Sequence, residues 1–249
     1  MKAFVSVDME GISGLVRWAD VVTAGIDFAR NRRFMTLDAN AAIAGAFDGG
    51  ATEVVVEENH GVEELCDLLL DEIDPRCRVV RGAGRPFATT MAALDASVGV
   101  VLLVGHHARA GELGVPVGLI TGDQIVIEQL RARAPWAEAV EVKRALSNVA
   151  GDVIPPARAQ VLIRTGARRA VERARAGELQ AYRAEPAPYT IEVELRQPLS
   201  EDLRDNLGHL PEFEITDERT VCTIAPDMDL GFRRIAYMGY GHQRGMVRY

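Results

Sequence analysis

Asp8 and Glu10 stand two residues apart, directly after the apolar run Ala3-Phe4-Val5-Ser6-Val7 and just ahead of a glycine-bearing turn, Gly11-Ile12-Ser13-Gly14. Side chains two apart on extended backbone point the same way, with Cα atoms about 6.6 Å from each other. Carboxylates held that close in a half-buried site repel unless a cation lies between them, so the spacing predicts that both reach one metal ion or two neighbouring ones. His60 comes after Glu57-Glu58-Asn59, and His107 after Gly105-His106. Carboxylate and imidazole together suit zinc and other first-row divalent ions. Each residue alone has a plainer reading, a turn-capping pair for the two acids and structural histidines for the others. What sets them apart is that each group follows a predicted strand.

Those strands are legible as short apolar runs. The run ending at Val7 is the first. Phe34, Met35, Ala42, Ile43, Ala46 and Phe47 then recur at helical spacing, with Gly49-Gly50 as the stop. Thr52 to Val56 is a β-branched strand, Leu65 to Leu70 a helical pattern, Cys77 to Val80 a third strand and Ala88 to Leu94 a short helix. Val98 to Val104 and Val117 to Thr121 read as buried strands, followed by a helix to Ala134 and a strand over Ala137 to Val142. This alternation predicts an α/β fold, a doubly wound, mostly parallel sheet. Ligands of such sheets gather at the carboxyl ends of the strands, where Asp8, Glu10, His60 and His107 all fall. From Pro155-Pro156 the character changes: a long helix to Gly177, the alternating strand Thr190 to Leu195, strands at Glu214-Ile215 and Thr220 to Thr223, and a last helix from Asp227 to Tyr240. The expected division is a metal-binding α/β domain over 1–153 and a C-terminal α+β lobe over 154–249.

At 249 residues and 48% hydrophobic composition the chain can bury a sizeable core. A formal net charge of −8 gives no general attraction to nucleic acid or an anionic membrane. No apolar stretch approaches the roughly 20 residues of a membrane span, and Met1-Lys2 leads into a strand rather than a signal-peptide core. The expected location is the cytoplasm. Cys66, Cys77 and Cys222 are sparse and lack C-x-x-C spacing, so neither a disulfide framework nor a thiolate zinc site is indicated.

Five stretches carry a family resemblance: Val7 to Gly14, Arg33 to Thr36 with Asn40 to Ile43, Glu58 to Gly61, Gly105 to Ala110, and Val115 to Asp123. Together they resemble the zinc D-aminopeptidase family of the DppA type over most of the chain. The resemblance implies two zinc ions, with Asp8 bridging them, Glu10 on one, and His60 and His107 as further ligands. It also implies short peptide substrates, with an N-terminal D-residue such as D-alanine or, as in relatives with the same ligands, an L-residue, and rings of subunits, with a homodecamer the expectation. Glu58 and Asn59 replace the family's usual Asp-Ser, and His106 stands where an aromatic residue is more common, which makes it a supporting group or a neutral replacement rather than a ligand. Between Ala110 and Val115 the family carries a few dozen further residues, including a catalytic histidine and a Gly-Glu-Leu-Gly segment whose glutamate completes the second zinc site. Here only Gly111-Glu112-Leu113-Gly114 occupies that place. Glu112 is either that ligand or the end of the lost helix rejoined to the next strand, and Leu113 to Pro116 fits the second reading better. Either the chain lacks the piece, or residues are left out of the sequence as written.

The expected activity is therefore a zinc aminopeptidase, in which the metal lowers the pKa of bound water and polarises the peptide carbonyl; no residue is assigned as the acid/base. The alternative is a metal-binding homologue without catalysis, should the short connection have removed that group. A magnesium phosphohydrolase also begins with Asp-x-Glu after a first strand, but histidines suit zinc better than magnesium.

Overall fold

The structure, a computed structural model, describes residues 1–61, 65–82, 91–106, 115–147, 149–181, 187–227, 230–231, 233–235 and 237–238. The chain forms two compact units, Met1–Arg183 and Ala184–Tyr249. In the first, β1 (Lys2–Val7) leads to α1 (Phe28–Asp48), then β2 (Glu53–Glu58), β3 (Arg78–Val80), β4 (Val98–Val104), β5 (Val117–Asp123), α2 (Gln124–Arg133), β6 (Glu138–Ser147), β7 (Ala150–Val153) and α3 (Pro156–Arg175). The seven strands lie in the order β3-β2-β1-β4-β5-β6-β7. All neighbours are parallel except β6 and β7, which form an antiparallel hairpin.

The β-branched and leucine-rich runs become strands because both faces of the sheet are covered. Ala3, Val5 and Val7 face one way, into a core with Met35, Ala39, Ala42 and Ile43 of α1 and Ile163, Ala167 and Ala170 of α3. Phe4 faces the other way, with Val101, Leu103 and Ile120, against Val126, Ile127 and Leu130 of α2. Alternate residues of a strand point to opposite faces, so an unbroken apolar run is what a two-sided core requires. The expectation of a doubly wound sheet holds. The division expected near residue 153 would cut α3 away from α1, on which it packs: a Cβ added at Gly45 would lie 2.8 Å from Ala167 Cβ.

Two local expectations differ from the structure. Residues 65–70 are irregular rather than helical, because α1 side chains take their backbone groups: Arg32 Nε donates to Asp67 O at 2.8 Å, and Leu69 N donates to Thr36 Oγ1 at 3.0 Å. The last residues of the expected Ala88 to Leu94 helix, 91–94, form a turn, and the rest of it lies outside the described residues.

The second unit holds β8 (Tyr189–Glu194), α4 (Glu201–Gly208), β9 (Phe213–Ile215) and β10 (Thr220–Ala225), with antiparallel order β8-β10-β9. Leu203 and Leu207 of α4 and Val221 of β10 form its small core with Met238. Ser200 caps α4 through its side chain, accepting from Leu203 N at 3.2 Å. The described residues of 230–238 are helical, which agrees with the expected last helix as far as they go.

Candidate metal centre

In the order β3-β2-β1-β4-β5-β6, successive strands run outward in opposite directions from the β1–β4 junction. Such a switch point leaves a crevice at the carboxyl ends of the strands. Asp8 sits one residue beyond β1, and its N–H donates to Val104 O at the end of β4 at 2.9 Å. Glu10 lies in the turn that follows, and His60 lies two residues beyond β2. Asp8 and Glu10 are thus in a turn, not on strand backbone, and it is the turn that brings both carboxylates to one imidazole. His60 Nδ1 lies 3.1 Å from Glu10 Oε2 and 3.4 Å from Asp8 Oδ1. One donor atom from each of the three residues lies within 4.8 Å of the other two.

The other imidazole nitrogen settles which face of the ring is offered. His60 Nε2 lies 2.8 Å from Val21 O, a backbone acceptor that can only receive a proton. The Nε2–H is therefore fixed, and in the neutral ring the Nδ1 lone pair points at the carboxylates. A ligating histidine is commonly held in this way, with its far nitrogen donating to a carbonyl. Burial disfavours the charged ring, but hydrogen bonds with Asp8 and Glu10, the charge of Glu10 and the Val21 carbonyl outweigh it, so that His60 is pushed up to about 10. The pocket is built to hold positive charge, and carboxylate with imidazole is a donor set that fits a divalent ion.

The surrounding contacts fix the turn. Gly105, with φ +69°, ends β4, and a Cβ there would strike the Asp8 carbonyl and the Ile12 side chain. Gly11 N donates to Gly105 O at 2.7 Å, and a Cβ at Gly11 would lie 2.6 Å from the Gly105 carbonyl carbon. Glycine is required where two backbones approach so closely. Ser13 N and Oγ both donate to the buried Asp38 carboxylate of α1 at 2.9 Å. From β6, the buried Lys143 ammonium donates to Glu10 O, to Leu15 O at 2.8 Å and to Ile12 O at 3.4 Å.

His106 Nε2 lies 2.7 Å from Ser6 Oγ, and Nδ1 lies 3.9 Å from Asp8 Oδ2. It stands behind Asp8, outside the three-residue cluster. Asn59 accepts from Ser6 Oγ at 2.6 Å and donates to Glu57 Oε1 at 3.2 Å, and Glu57 accepts from Ala92 N and Ala93 N at 2.9 and 2.8 Å. The structure thus brings together Asp8, Glu10 and His60 from the expected set; His107 and Glu112 lie outside the described residues. Val21 and Lys143 were not foreseen. A backbone carbonyl has no sequence signature, and a lysine 128 to 133 residues from its partners has none either.

These donors are those of a divalent-metal centre on a doubly wound α/β scaffold. The family model described as D-aminopeptidase matches residues 1–113 and 109–236, and the chain belongs to that family. The two matched stretches meet at residues 109–113, where the connection after β4 is short. A D-aminopeptidase of Bacillus subtilis (strain 168) is 30% identical over 197 residues, covering 66% of this chain and 71% of that protein. Among solved structures, the Zn-dependent D-aminopeptidase DppA from Bacillus subtilis, described as a self-compartmentalizing protease, superimposes with a TM-score of 0.84 over 100% of both chains at 24% identity. That likeness supports the fold.

Proposed function

We propose that the chain is a zinc-dependent aminopeptidase that removes N-terminal residues, D-residues among them, from short peptides. The observation that carries this reading is the convergence of Asp8, Glu10 and His60, with the His60 ring fixed by Val21, in a member of the D-aminopeptidase family. Asp8, Glu10 and His60 would hold one ion, and Asp8 with His107 a second. Bound zinc supplies a water of lowered pKa and polarises the scissile carbonyl. The chain's own groups do the rest. Asp8 is buried and stiffly held, accepting from Met9 N at 2.8 Å. The Glu10 side chain is about a quarter exposed, so its carboxylate also faces the side from which a cationic peptide N-terminus would come.

The reading extends to assembly and location. A homo-oligomer is supported by the self-compartmentalizing relative, and we extend it to the homodecamer built of rings of subunits that the family resemblance implies. The cytoplasm is supported by three cysteines that are all free. Among the described residues, no helix is long and apolar enough to cross a membrane.

The test is hydrolysis of di- and tripeptides beginning with D-alanine or L-alanine, by protein stripped with chelator and then restored with zinc. Release of the N-terminal residue that is lost on stripping and regained with zinc is expected. Zinc binding near zero in the restored protein, or hydrolysis indifferent to chelation, would sink it.

A further inference from the structure

The turn that carries Asp8 and Glu10 belongs to no helix or strand and is closed by one hydrogen bond of its own, Ile12 N donating to Met9 O at 3.2 Å. Its first residues leave β1, and the segment then passes Gly11, Ile12, Ser13 and Leu15 before any helix begins. Three of its carbonyls, those of Glu10, Ile12 and Leu15, nevertheless point at one spot, and the spot is the Lys143 ammonium. Carbonyl dipoles aimed at a common point repel one another, so a curl of this shape is unfavourable unless a cation sits at its centre. An ammonium has three protons and no acceptor, and three carbonyls satisfy it completely. Lys143 comes from β6, on the far side of β4 and β5 from β1. It is 8% exposed. Burying a lysine is unfavourable unless its charge is matched; no carboxylate oxygen is among these three partners, and Asp123, Glu10, Asp38 and Asp20 act on the ammonium through their charge alone. An apolar residue at this β6 position would suit the core better, which argues that the ammonium is kept for what it holds.

We propose that Lys143 is a positioning residue for the metal centre: its ammonium gathers the Glu10, Ile12 and Leu15 carbonyls and so sets the curl that aims the Asp8 and Glu10 carboxylates at His60. Lys143 does not itself reach the donor atoms; it acts through the Glu10 backbone, one residue's length from the carboxylate that meets His60 Nδ1. Ser13, held by Asp38 from the α1 side, fixes the same segment independently. Without Lys143 the turn therefore keeps its anchors at Ser13 and Gly11 and loses the one at the Glu10, Ile12 and Leu15 carbonyls, and the two carboxylates lose their common aim rather than the whole segment its fold. A positive charge beside Glu10 also eases the crowding of two carboxylates before an ion is present.

This inference rests on the zinc reading, and the experiment separates the two. Zinc dissociation constants would be measured by competition with a chromophoric chelator for the wild-type chain, Lys143→Met and Lys143→Gln. Amide hydrogen exchange of residues 9–16 would be followed in the metal-free proteins, with circular dichroism to show that each is folded. Both variants are expected to fold, to exchange at least tenfold faster over 9–16, and to bind zinc at least tenfold more weakly. Hydrolysis should return toward the wild-type kcat at saturating zinc, because Lys143 touches neither substrate nor metal. A wild-type chain that binds no zinc counts against the zinc reading; faster exchange in the variants would still uphold the role of Lys143 in shaping the turn. Folded variants with unchanged exchange and unchanged zinc affinity overturn the positioning role. So does failure of both variants to fold, which would make Lys143 a residue of the fold rather than of the site.

Discussion

A carboxylate that can face two ions matters more than one that faces a single ion. Asp8 Oδ1 lies near His60 and Oδ2 lies on the His106 side, so its two oxygens look into different parts of the crevice. Asp8→Ala should reduce bound zinc from about two ions per chain to less than one and lower kcat/KM by at least about a thousandfold, roughly 4 kcal/mol of transition-state stabilisation. Metal analysis and peptide hydrolysis read both; a variant that keeps its zinc and its activity shows that Asp8 is misassigned. Asp38 offers a test by pH. Burial raises its carboxyl to about 6 from 3.8, against the hydrogen bonds from Ser13. The folded chain therefore holds this proton more tightly than the unfolded chain does, and stability falls as pH rises from about 4 to about 6. Asp38→Asn removes that titration. The stability of the wild-type chain relative to the variant should be greater at pH 4 than at pH 7, by on the order of 2 to 3 kcal/mol. Urea unfolding of both proteins at the two pH values, with chelator present, measures it, and an equal difference at both would show that Asp38 is not perturbed.

At the scale of elements, the centre is where the ends of β1, β2 and β4 meet, and the closeness of β1 and β4 depends on Gly105. Gly105→Ala combines a positive φ with collision against the Asp8 carbonyl, and should cost about 2 kcal/mol or more and weaken zinc binding as well. Gly177 has a similar φ of +72° but nothing within 4 Å among the described residues, so Gly177→Ala should cost only about 1 kcal/mol and leave zinc binding alone. Thermal unfolding and metal titration of the pair distinguish shape at the site from backbone strain in general; equal effects would refute the account of Gly105.

The same contrast explains what the sequence made legible. Strands buried on both faces write themselves as unbroken apolar runs, so β1, β2, β4 and β5 were readable with the Asp8, Glu10 and His60 that end them. The β6–β7 hairpin was not, because Lys143 to Ser147 and Ala150 to Val153 lack any such run, and neither was α4, only eight residues long. The pattern over 65–70 misled because its apolar spacing suits a helix, while the side chains of Arg32 and Thr36 impose something else. Distant polar contacts leave no local trace.

The whole molecule must account for both the short β4–β5 connection and the apolar groups left on the surface. Parallel neighbours require a crossover of about a dozen residues, and the connection from Gly105 to Pro116 has that length and no more. Peptide mapping across Gly105 to Pro116 tests that length: a fragment heavier than this stretch requires would place further residues between Ala110 and Val115. A single copy leaves Trp18, Ile26, Leu146 and Val149 largely in water, at 72%, 98%, 69% and 67% exposure. Isolated surface apolar residues are ordinary, but large ones this open gain from contact with another copy. Closed rings repeat one interface, and a ring encloses the crevices of its members without needing any new element in the chain. Light scattering after gel filtration tests the proposed homodecamer: ten times the mass of the chain is the expected result, with short peptides kept as substrates and folded proteins spared. A monomer that hydrolyses peptides at the full rate would show that the centre formed by Asp8, Glu10 and His60 is complete in one copy, and that the ring is no part of the activity.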